Sequence, residues 1–501
     1  MAIIQLIDTV GFNRGGLTKA IYDRLHLASN AGKEVVLIIT GLQFDTKLIT
    51  SQLKRDKHIP ANTKIRALFD DCFDTSQLPH LNISLNFDRT DLYKVEEVDG
   101  NTRVLRYFDQ FGKYVGLDNF SIDNIKRFTE FHSSDWPQSI TTRVIYDVSG
   151  RIRATKYFDS NWKPRYETVF YSNGNPIYSC WLHENGNRYR IIGFNPETKT
   201  AKACSSFFDV RTDLIRKVFE EFPNSLVISD EPSTISFLSR DFNFKIKEGV
   251  GFIHTTHNYV KGDGTEANKP WLSGYSFNTG ALSSILTTND KQAVELHRML
   301  KNANSSNLFA IYHGTELNSN VRPKNLASGH ILFLGRLSDE KRVDLVIKGY
   351  AESLKTMPNL VLDIVGDGPL KKQLEELSRS LGVSNSVIFH GYKDDTDYWF
   401  KLADCHFLVS KFEGFPLALI EGLSNGCPAI VTPCKYGPDQ VINHNENGLR
   451  VDANPKAIAA GILELYTERT LNRLSVGALE SVQQYSKAKW SEKWMKLFNS
   501  Y

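Results

Sequence analysis

Hydrophobic and polar positions along the chain fall into two textures. Up to about residue 77, and again from about 208, apolar runs of strand length alternate with stretches of helical periodicity. Ile3-Ile4-Gln5-Leu6-Ile7 reads as a strand over 3–8, followed by a Gly-rich turn over 11–16, a helix over about 17–31 and a strand over 34–40. Such alternation builds a parallel sheet, because parallel neighbours need a long crossover between them. From about 80 to 205 the texture changes. Short aromatic and β-branched segments, among them Arg106-Tyr107-Phe108-Asp109, Lys156-Tyr157-Phe158-Asp159 and Thr168-Val169-Phe170-Tyr171, are broken by Asp99-Gly100, Ser149-Gly150, Asn173-Gly174 and Asn185-Gly186. These turn pairs are hairpin signals, so the segment reads as an antiparallel β-insertion. Its spacing is loosely periodic and does not reach the regularity of a propeller.

The α/β texture resumes with a helix over about 210–221 and strands over 225–228 and 250–253, the latter ending at His254. A strand over 308–311 leads into Tyr312-His313-Gly314. A further α/β unit starts near 328. Its strands cover 331–334, 359–365, 387–389, 405–409 and 429–431, and Gly366-Asp367-Gly368-Pro369 precedes an amphipathic helix over about 369–381. In the last segment Trp490, Trp494 and Phe498 recur every 4 residues, the face of a helix that packs back on the body. The expected architecture is therefore α/β with two Rossmann-like domains. Residues 1–77 and 209–320 form the first, 78–208 the insertion, 321–485 the second domain and 486–501 the closing helix. Open α/β sheets bind ligands beyond the carboxyl ends of their strands, and two such sheets facing each other would form a cleft there.

Composition narrows the class. With 41% hydrophobic and 23% charged residues the chain is an ordinary globular protein, and its 501 residues exceed one core. A net charge of +3 gives no footprint of nucleic-acid binding. No apolar run approaches the ~20 residues that span a bilayer, and the N-terminus opens on a strand without a signal-peptide pattern, so a cytoplasmic protein is expected. The six cysteines are scattered without CxxC pairs, and Cys427 and Cys434 have no nearby histidine, which points to reduced thiols and no metal site.

Candidate chemistry gathers at strand ends. Glu413-Gly414-Phe415-Pro416-Leu417-Ala418-Leu419-Ile420-Glu421 sets two carboxylates across a Gly-Pro turn and the start of a helix, where free N–H groups suit an anion or a sugar hydroxyl. The plainer reading makes Glu413 the helix cap and Glu421 a solvated residue. Gly335-Arg336-Leu337-Ser338-Asp339-Glu340-Lys341 follows a strand; Arg336 and Lys341 can converge on a diphosphate if the turn folds back, or be an exposed basic turn. Asn13-Arg14-Gly15-Gly16-Leu17 lets backbone approach a ligand at a helix start, or is a simple tight turn. His254-Thr255-Thr256-His257 could place one imidazole in the cleft. Lys435-Tyr436-Gly437-Pro438-Asp439 and Gly391-Tyr392 would line the same side.

The E-x7-E segment, the G-R-x4-K segment and the G-D-G-P turn resemble the family-four retaining glycosyltransferases of GT-B fold. Arg106-Tyr107-Phe108-Asp109, Ile253-His254-x-x-His257, Lys435-Tyr436-Gly437-Pro438 and the ending Trp494-x-x-Leu497-Phe498-Asn499-Ser500 are similar to the members that α-glycosylate wall teichoic acid. The resemblance implies a UDP-sugar donor carrying GlcNAc or glucose, a polyol-phosphate acceptor and no cofactor or metal. It also implies membrane association only through the acceptor, and a homotrimer. It assigns Arg336 and Lys341 to the diphosphate, Glu421 to the ribose and Glu413 to the hexose hydroxyls, with Gly414, Phe415, Leu417 and His257 alongside. Gly16 goes to the approach of the diphosphate, His254 to the reacting carbon and Tyr392 to the base. Gly422 departs from the family, which more often has alanine there. Lys and Arg of the insertion (Arg143, Arg151, Arg153, Lys156, Lys163, Arg165) are expected to form a basic track for the polymer, against the plainer reading of a solvated sheet. Alternative functions are glycosylation of a serine-rich surface protein and a catalytically degenerate glycan-binding subunit.

Overall fold

The computed structural model describes residues 1–11, 16–70, 90–99, 102–121, 123–133, 140–231, 234, 248–254, 258–260, 266–268, 282–299, 308–317, 321, 323–324, 327–467 and 469–501. The chain divides into two compact units, Met1–Gly249 and Val250–Tyr501. No helix among the described residues is long and apolar enough to cross a membrane.

The first unit opens with β1 (Ala2–Ile7), α1 (Gly16–Asn30), β2 (Glu34–Ile39), α2 (Thr46–Arg55) and β3 (Lys64–Ala67). β1 pairs in parallel with β2, and β2 with β3. Every residue of β1 is buried, as expected for a strand covered on both faces.

Ten antiparallel strands follow in simple sequential order: β4 (Tyr93–Asp99), β5 (Thr102–Phe108), β6 (Tyr114–Ser121), β7 (Lys126–His132), β8 (Ile140–Tyr146), β9 (Ile152–Phe158), β10 (Pro164–Phe170), β11 (Pro176–Leu182), β12 (Arg188–Asn195) and β13 (Thr200–Cys204). α3 (Phe207–Glu221) and β14 (Leu226–Ser229), which pairs with β1, close the unit.

The meander is more regular than its sequence suggests. Asp109, Asp147, Asp159, Tyr171 and His183 each donate their N–H to the carbonyl four residues on, and the last four of these turns start 12 residues apart. Where the opener is Asp, its Oδ1 also accepts from the N–H groups two and four residues on, as Asp159 does from Asn161 and Lys163 at 2.9 and 3.0 Å. The fourth turn residue takes a left-handed conformation: Gly112, Gly150, Gly174 and Gly186 lie at φ 76–85°, and Trp162 holds the same place at 62°. Because Trp162 breaks the glycine pattern, the repeat is hidden in the sequence.

The expected basic track is largely neutralised. Arg143 is bound to Glu130, Arg165 to Asp159 and Glu184, and Lys156 shares Glu167 with Arg188. Arg153 is 2% exposed and bonds the Phe69 carbonyl at 2.8 Å and Asp70. Only Arg151 and Lys163 of the six lack a carboxylate partner among the described residues. Strand register explains two of these pairs, because it sets Arg143 opposite Glu130 and Lys156 opposite Glu167.

β15 (Glu248–Ile253) leads into the second unit, followed by a short hairpin of β16 (Asn258–Val260) and β17 (Glu266–Asn268), β18 (Ser284–Thr287), α4 (Asp290–Met299) and β19 (Leu308–Ala310). β15, β18 and β19 pair in parallel. Then come β20 (His330–Leu334), a 3-10 turn over Asp339–Lys341, α5 (Val343–Ser353), β21 (Val361–Val365), α6 (Lys371–Ser380), β22 (Val387–Gly391), α7 (Thr396–Leu402), β23 (Cys405–Leu408), α8 (Leu417–Ser424), β24 (Ala429–Val431), β25 (Gly448–Arg450), α9 (Pro455–Leu465), α10 (Thr470–Ser481) and α11 (Lys487–Ser500). The sheet order β22-β21-β20-β23-β24-β25, all parallel, is the 3-2-1-4-5-6 order of a doubly wound fold. Its core joins Ile331, Val346, Ile347, Leu362, Ile364, Phe407 and Ile462. α11 buries Trp490, Trp494, Leu497 and Phe498, and Trp494 lies 5.7 Å from the Phe252 ring of β15.

Candidate active site

In the 3-2-1-4-5-6 sheet the strand order reverses between β20 and β23, the position at which open α/β sheets bind ligands, and the loops leaving these two strands meet there. The loop after β20 is pressed onto its neighbour. Gly335 N donates to Val365 O at 3.0 Å and Leu337 N to Asp367 O at 3.0 Å. A Cβ on Gly366 would stand 1.9 Å from Gly335 O, and one on Gly368 would stand 2.4 Å from Leu337 O. Only glycines allow this approach. Leu337, fully buried, anchors the loop, while Arg336 before it is exposed and has no ion-pair partner among the described residues.

The chain then turns through Asp339–Lys341 to Arg342, which holds a left-handed φ of 48°. Its guanidinium bonds the Val409 carbonyl, the Ser410 carbonyl at 3.1 Å and Thr432 Oγ1 at 2.8 Å, tying together the loops after β20, β23 and β24. Burial lowers its pKa. Arg342 was not singled out by the sequence, where nothing separates it from an ordinary surface arginine.

These bonds bring Lys341 to Glu413. Lys341 Nζ lies 2.6 Å from Glu413 Oε1, which also accepts from Ser410 Oγ at 2.6 Å. Lys411 N bonds Glu340 O at 2.8 Å and closes the two loops on each other. Glu413 does not cap α8, whose N-cap is Pro416 without a side-chain cap bond. Among the described residues the N–H groups of Gly414, Phe415 and Ala418 have no hydrogen-bond acceptor, which leaves donors for an anion at this helix start. Leu417 is the first residue of α8, and Glu421, half-buried, stands one turn on.

Gly422 has a local cause. A Cβ there would lie 2.3 Å from His406 Cε1. His406 on β23 is 2% exposed, and its ring packs edge-on against Phe400 at 5.2 Å. Burial pushes its pKa down to about 3, so the ring is neutral. A histidine under α8 therefore requires a glycine above it.

A second group gathers on the same unit. At the end of β15, His254 Nδ1 lies 3.2 Å from His313 Nε2, and its ring is tilted against Phe252 with centroids 4.0 Å apart. His313 meets Phe415 at 5.6 Å, and Tyr312 stacks on Phe415 at 5.8 Å, so the histidine pair adjoins the Glu413 loop. Thr288 Oγ1 donates to Gly414 O at 3.2 Å, and Asn289 Nδ2 to Tyr436 O at 2.6 Å. Tyr436 and Lys435 both reach Glu295. His313 was read only as a strand end; its partner lies 59 residues away, beyond any local pattern. Tyr392, 66% exposed, stands past β22 beside Asp394, which raises its pKa. Gly16 begins α1. His257, with Asn13, Arg14 and Gly15, lies outside the described residues. No contact among the described residues joins the Arg336 side chain to Lys341 or Glu413.

A doubly wound domain that gathers a lysine–glutamate pair and an exposed arginine at its switch point, with an antiparallel insertion earlier in the chain, has the architecture of a GT-B fold. Residues 315–480 match the family described as Glycosyl transferases group 1. The chain is 22% identical to the poly(ribitol-phosphate) alpha-N-acetylglucosaminyltransferase of Staphylococcus aureus (strain COL), over 99% of both chains. It is 30% identical to the poly(glycerol-phosphate) alpha-glucosyltransferase of Bacillus subtilis (strain 168) over 169 residues, 32% of this chain and 24% of that one. Its fold matches a solved Staphylococcus aureus TarM variant, in complex with Fondaparinux, alpha-GlcNAc-glycerol and UDP, with a TM-score of 0.79 at 19% identity over 100% of both chains.

Proposed function

We propose that the chain is a retaining α-glycosyltransferase that moves GlcNAc or glucose from a UDP-sugar to the polyol-phosphate chain of wall teichoic acid. The observation that carries this reading is the Lys341–Glu413 pair, held at 2.6 Å where the sheet order reverses. Similarity to a teichoic-acid glycosyltransferase along the whole chain supports the acceptor.

On this reading Arg336, Lys341 and the start of α8 bind the diphosphate, Glu421 the ribose and Glu413 the hexose hydroxyls. Lys341 is already oriented by Glu413, so little reorganisation accompanies donor binding. As the glycosidic bond to phosphate breaks, positive charge grows at the anomeric carbon and negative charge on the leaving diphosphate. Fixed cations and helix N–H groups stabilise the latter, the role a divalent cation plays in other transferases. The acceptor hydroxyl attacks from the leaving group's face and gives its proton to the departing phosphate oxygen. On the same reading His254, whose ring nitrogen lies 3.2 Å from His313, contacts the sugar near the reacting carbon. Catalysis inside the cell by a homotrimer belongs to the same reading.

The test is a donor screen. Purified protein is incubated with UDP-GlcNAc or UDP-glucose and with ribitol-phosphate polymer, glycerol-phosphate polymer or a serine-rich peptide, and products are read by mass spectrometry. Hexose on a polyol-phosphate polymer supports the reading, and transfer to the peptide alone overturns it.

A further inference from the structure

A phosphodiester acceptor needs a cationic surface, and the ten-stranded sheet pairs most of its bases with acids. We infer that α11 supplies that surface, an inference that rests on the polyol-phosphate acceptor proposed above. The helix sequence KAKWSEKWMKLFNS holds four lysines and one glutamate, so these 14 residues carry as much net charge, +3, as the entire chain. Its tryptophan face is buried, which turns Lys489, Lys493 and Lys496 outward along one stripe. At the helical rise, successive lysines stand about 6 and 4.5 Å apart along the axis.

Both ends of the stripe lead somewhere. Towards the start of α11 a small pocket of about 10 Å³ is bounded by Tyr312, His313, Tyr485, Lys489 and Lys493, directly beside the His254–His313 pair. Further along, a cavity of about 460 Å³ opens between α11 and the strands β18 and β19. It is lined by Ser284, Phe309, Ile311, Lys493, Lys496 and Tyr501. Lys493 belongs to both, and its ammonium lies 4.5 Å above the Tyr312 ring. In the cavity Ser284 Oγ and the Tyr501 hydroxyl meet at 2.6 Å, and Lys493 and Lys496 contribute to the same lining. A polymer of polyols linked by phosphodiesters presents that complement, alternating hydroxyl-bearing carbons with single negative charges. Glu492 holds Lys489 and Lys496 at 3.5 and 2.9 Å in exposed pairs that a phosphate can replace. The stripe and cavity hold the part of the acceptor remote from the reacting hydroxyl, and they favour long chains over single units.

The experiment compares the full chain with Lys493→Glu/Lys496→Glu, using donor hydrolysis, transfer to a single glycerol-phosphate or ribitol-phosphate unit, and transfer to the polymer. The double reversal is expected to raise the polymer KM about tenfold or more at low salt. The single-unit KM and donor hydrolysis change by much less than the polymer KM, and Lys493→Arg/Lys496→Arg retains the wild-type polymer KM. An unchanged polymer KM in the charge-reversed protein overturns the assignment. Loss of binding to phosphatidylglycerol-containing vesicles with an unchanged polymer KM also overturns it, by making the stripe a membrane contact. If the wild-type chain glycosylates neither polymer, the proposed function itself fails and takes this site with it.

Discussion

Replacing Gly422 by alanine tests the link between the core of the second unit and its donor site. The new methyl carbon would sit 2.3, 2.6 and 2.7 Å from Cε1, Nδ1 and Nε2 of His406. Carbon contacts are comfortable at about 3.5–4.0 Å, so either the ring or the helix must move by about 1 Å. The ring is enclosed, with Phe400 at its edge, so α8 is the element that yields. Overpacking of this kind costs about 1–3 kcal/mol, and glycine to alanine in a helix returns about 1 kcal/mol. The clash lies at the severe end, which leaves a net loss of about 2 kcal/mol. Glu421, proposed above to hold the ribose, precedes the substituted residue, so on that reading a lifted helix should also weaken UDP binding. Urea unfolding of wild type, Gly422→Ala, His406→Ala and the double variant forms the cycle, with UDP titration calorimetry beside it. Once the ring is removed, Gly422→Ala should stabilise. A Gly422→Ala variant that is equally stabilised in both backgrounds, with wild-type UDP affinity, would refute the reasoning.

Three further outcomes follow from the same geometry. Arg336→Ala and Lys341→Ala should each reduce transfer about 100-fold or more, and Arg336→Lys should not restore it because the planar fork is lost; near-normal kcat/KM in both alanine variants would remove the diphosphate assignment. Trp162→Gly should stabilise by up to about 1 kcal/mol, since a left-handed non-glycine residue costs about 1–2 kcal/mol and glycine's extra chain entropy takes part of that back; a lower Tm would contradict it. Because burial depresses His406 from 6.5 to about 3, the unfolded chain binds a proton that the folded chain refuses. Its contribution to stability is intact above pH 6.5 and falls by about 1.4 kcal/mol per unit as pH drops from there towards about 3. Urea unfolding across that range should show stability falling more steeply in wild type than in His406→Leu, and equal slopes in the two proteins would contradict the reasoning.

The doubly wound half was legible because its strands are covered on both faces and read as unbroken apolar runs, as in Ile331-Leu332-Phe333-Leu334. Glycines that permit loop contact, Gly366 and Gly368, marked the strand ends as well. What stayed hidden depends on partners distant in sequence. His254 meets His313, Arg342 reaches Thr432, and Arg188 and Lys156 both converge on Glu167. A lysine in a strand looks the same in sequence whether its cross-strand neighbour is an acid or solvent, so the basic track could be named but its neutralisation could not. The meander's 12-residue repeat was blurred by Trp162 in a glycine's place and by Tyr171 and His183 opening turns that aspartate opens elsewhere. Gly422 read as a departure from the family pattern, and only the buried His406 explains it.

The most direct test of the central claim is a crystal structure of the chain bound to UDP. The account predicts the pyrophosphate within hydrogen-bond distance of Arg336 and Lys341, at the crevice between β20 and β23, with the ribose against Glu421. A nucleotide bound elsewhere, with the Lys341–Glu413 pair closed and Arg336 turned to solvent, would contradict it.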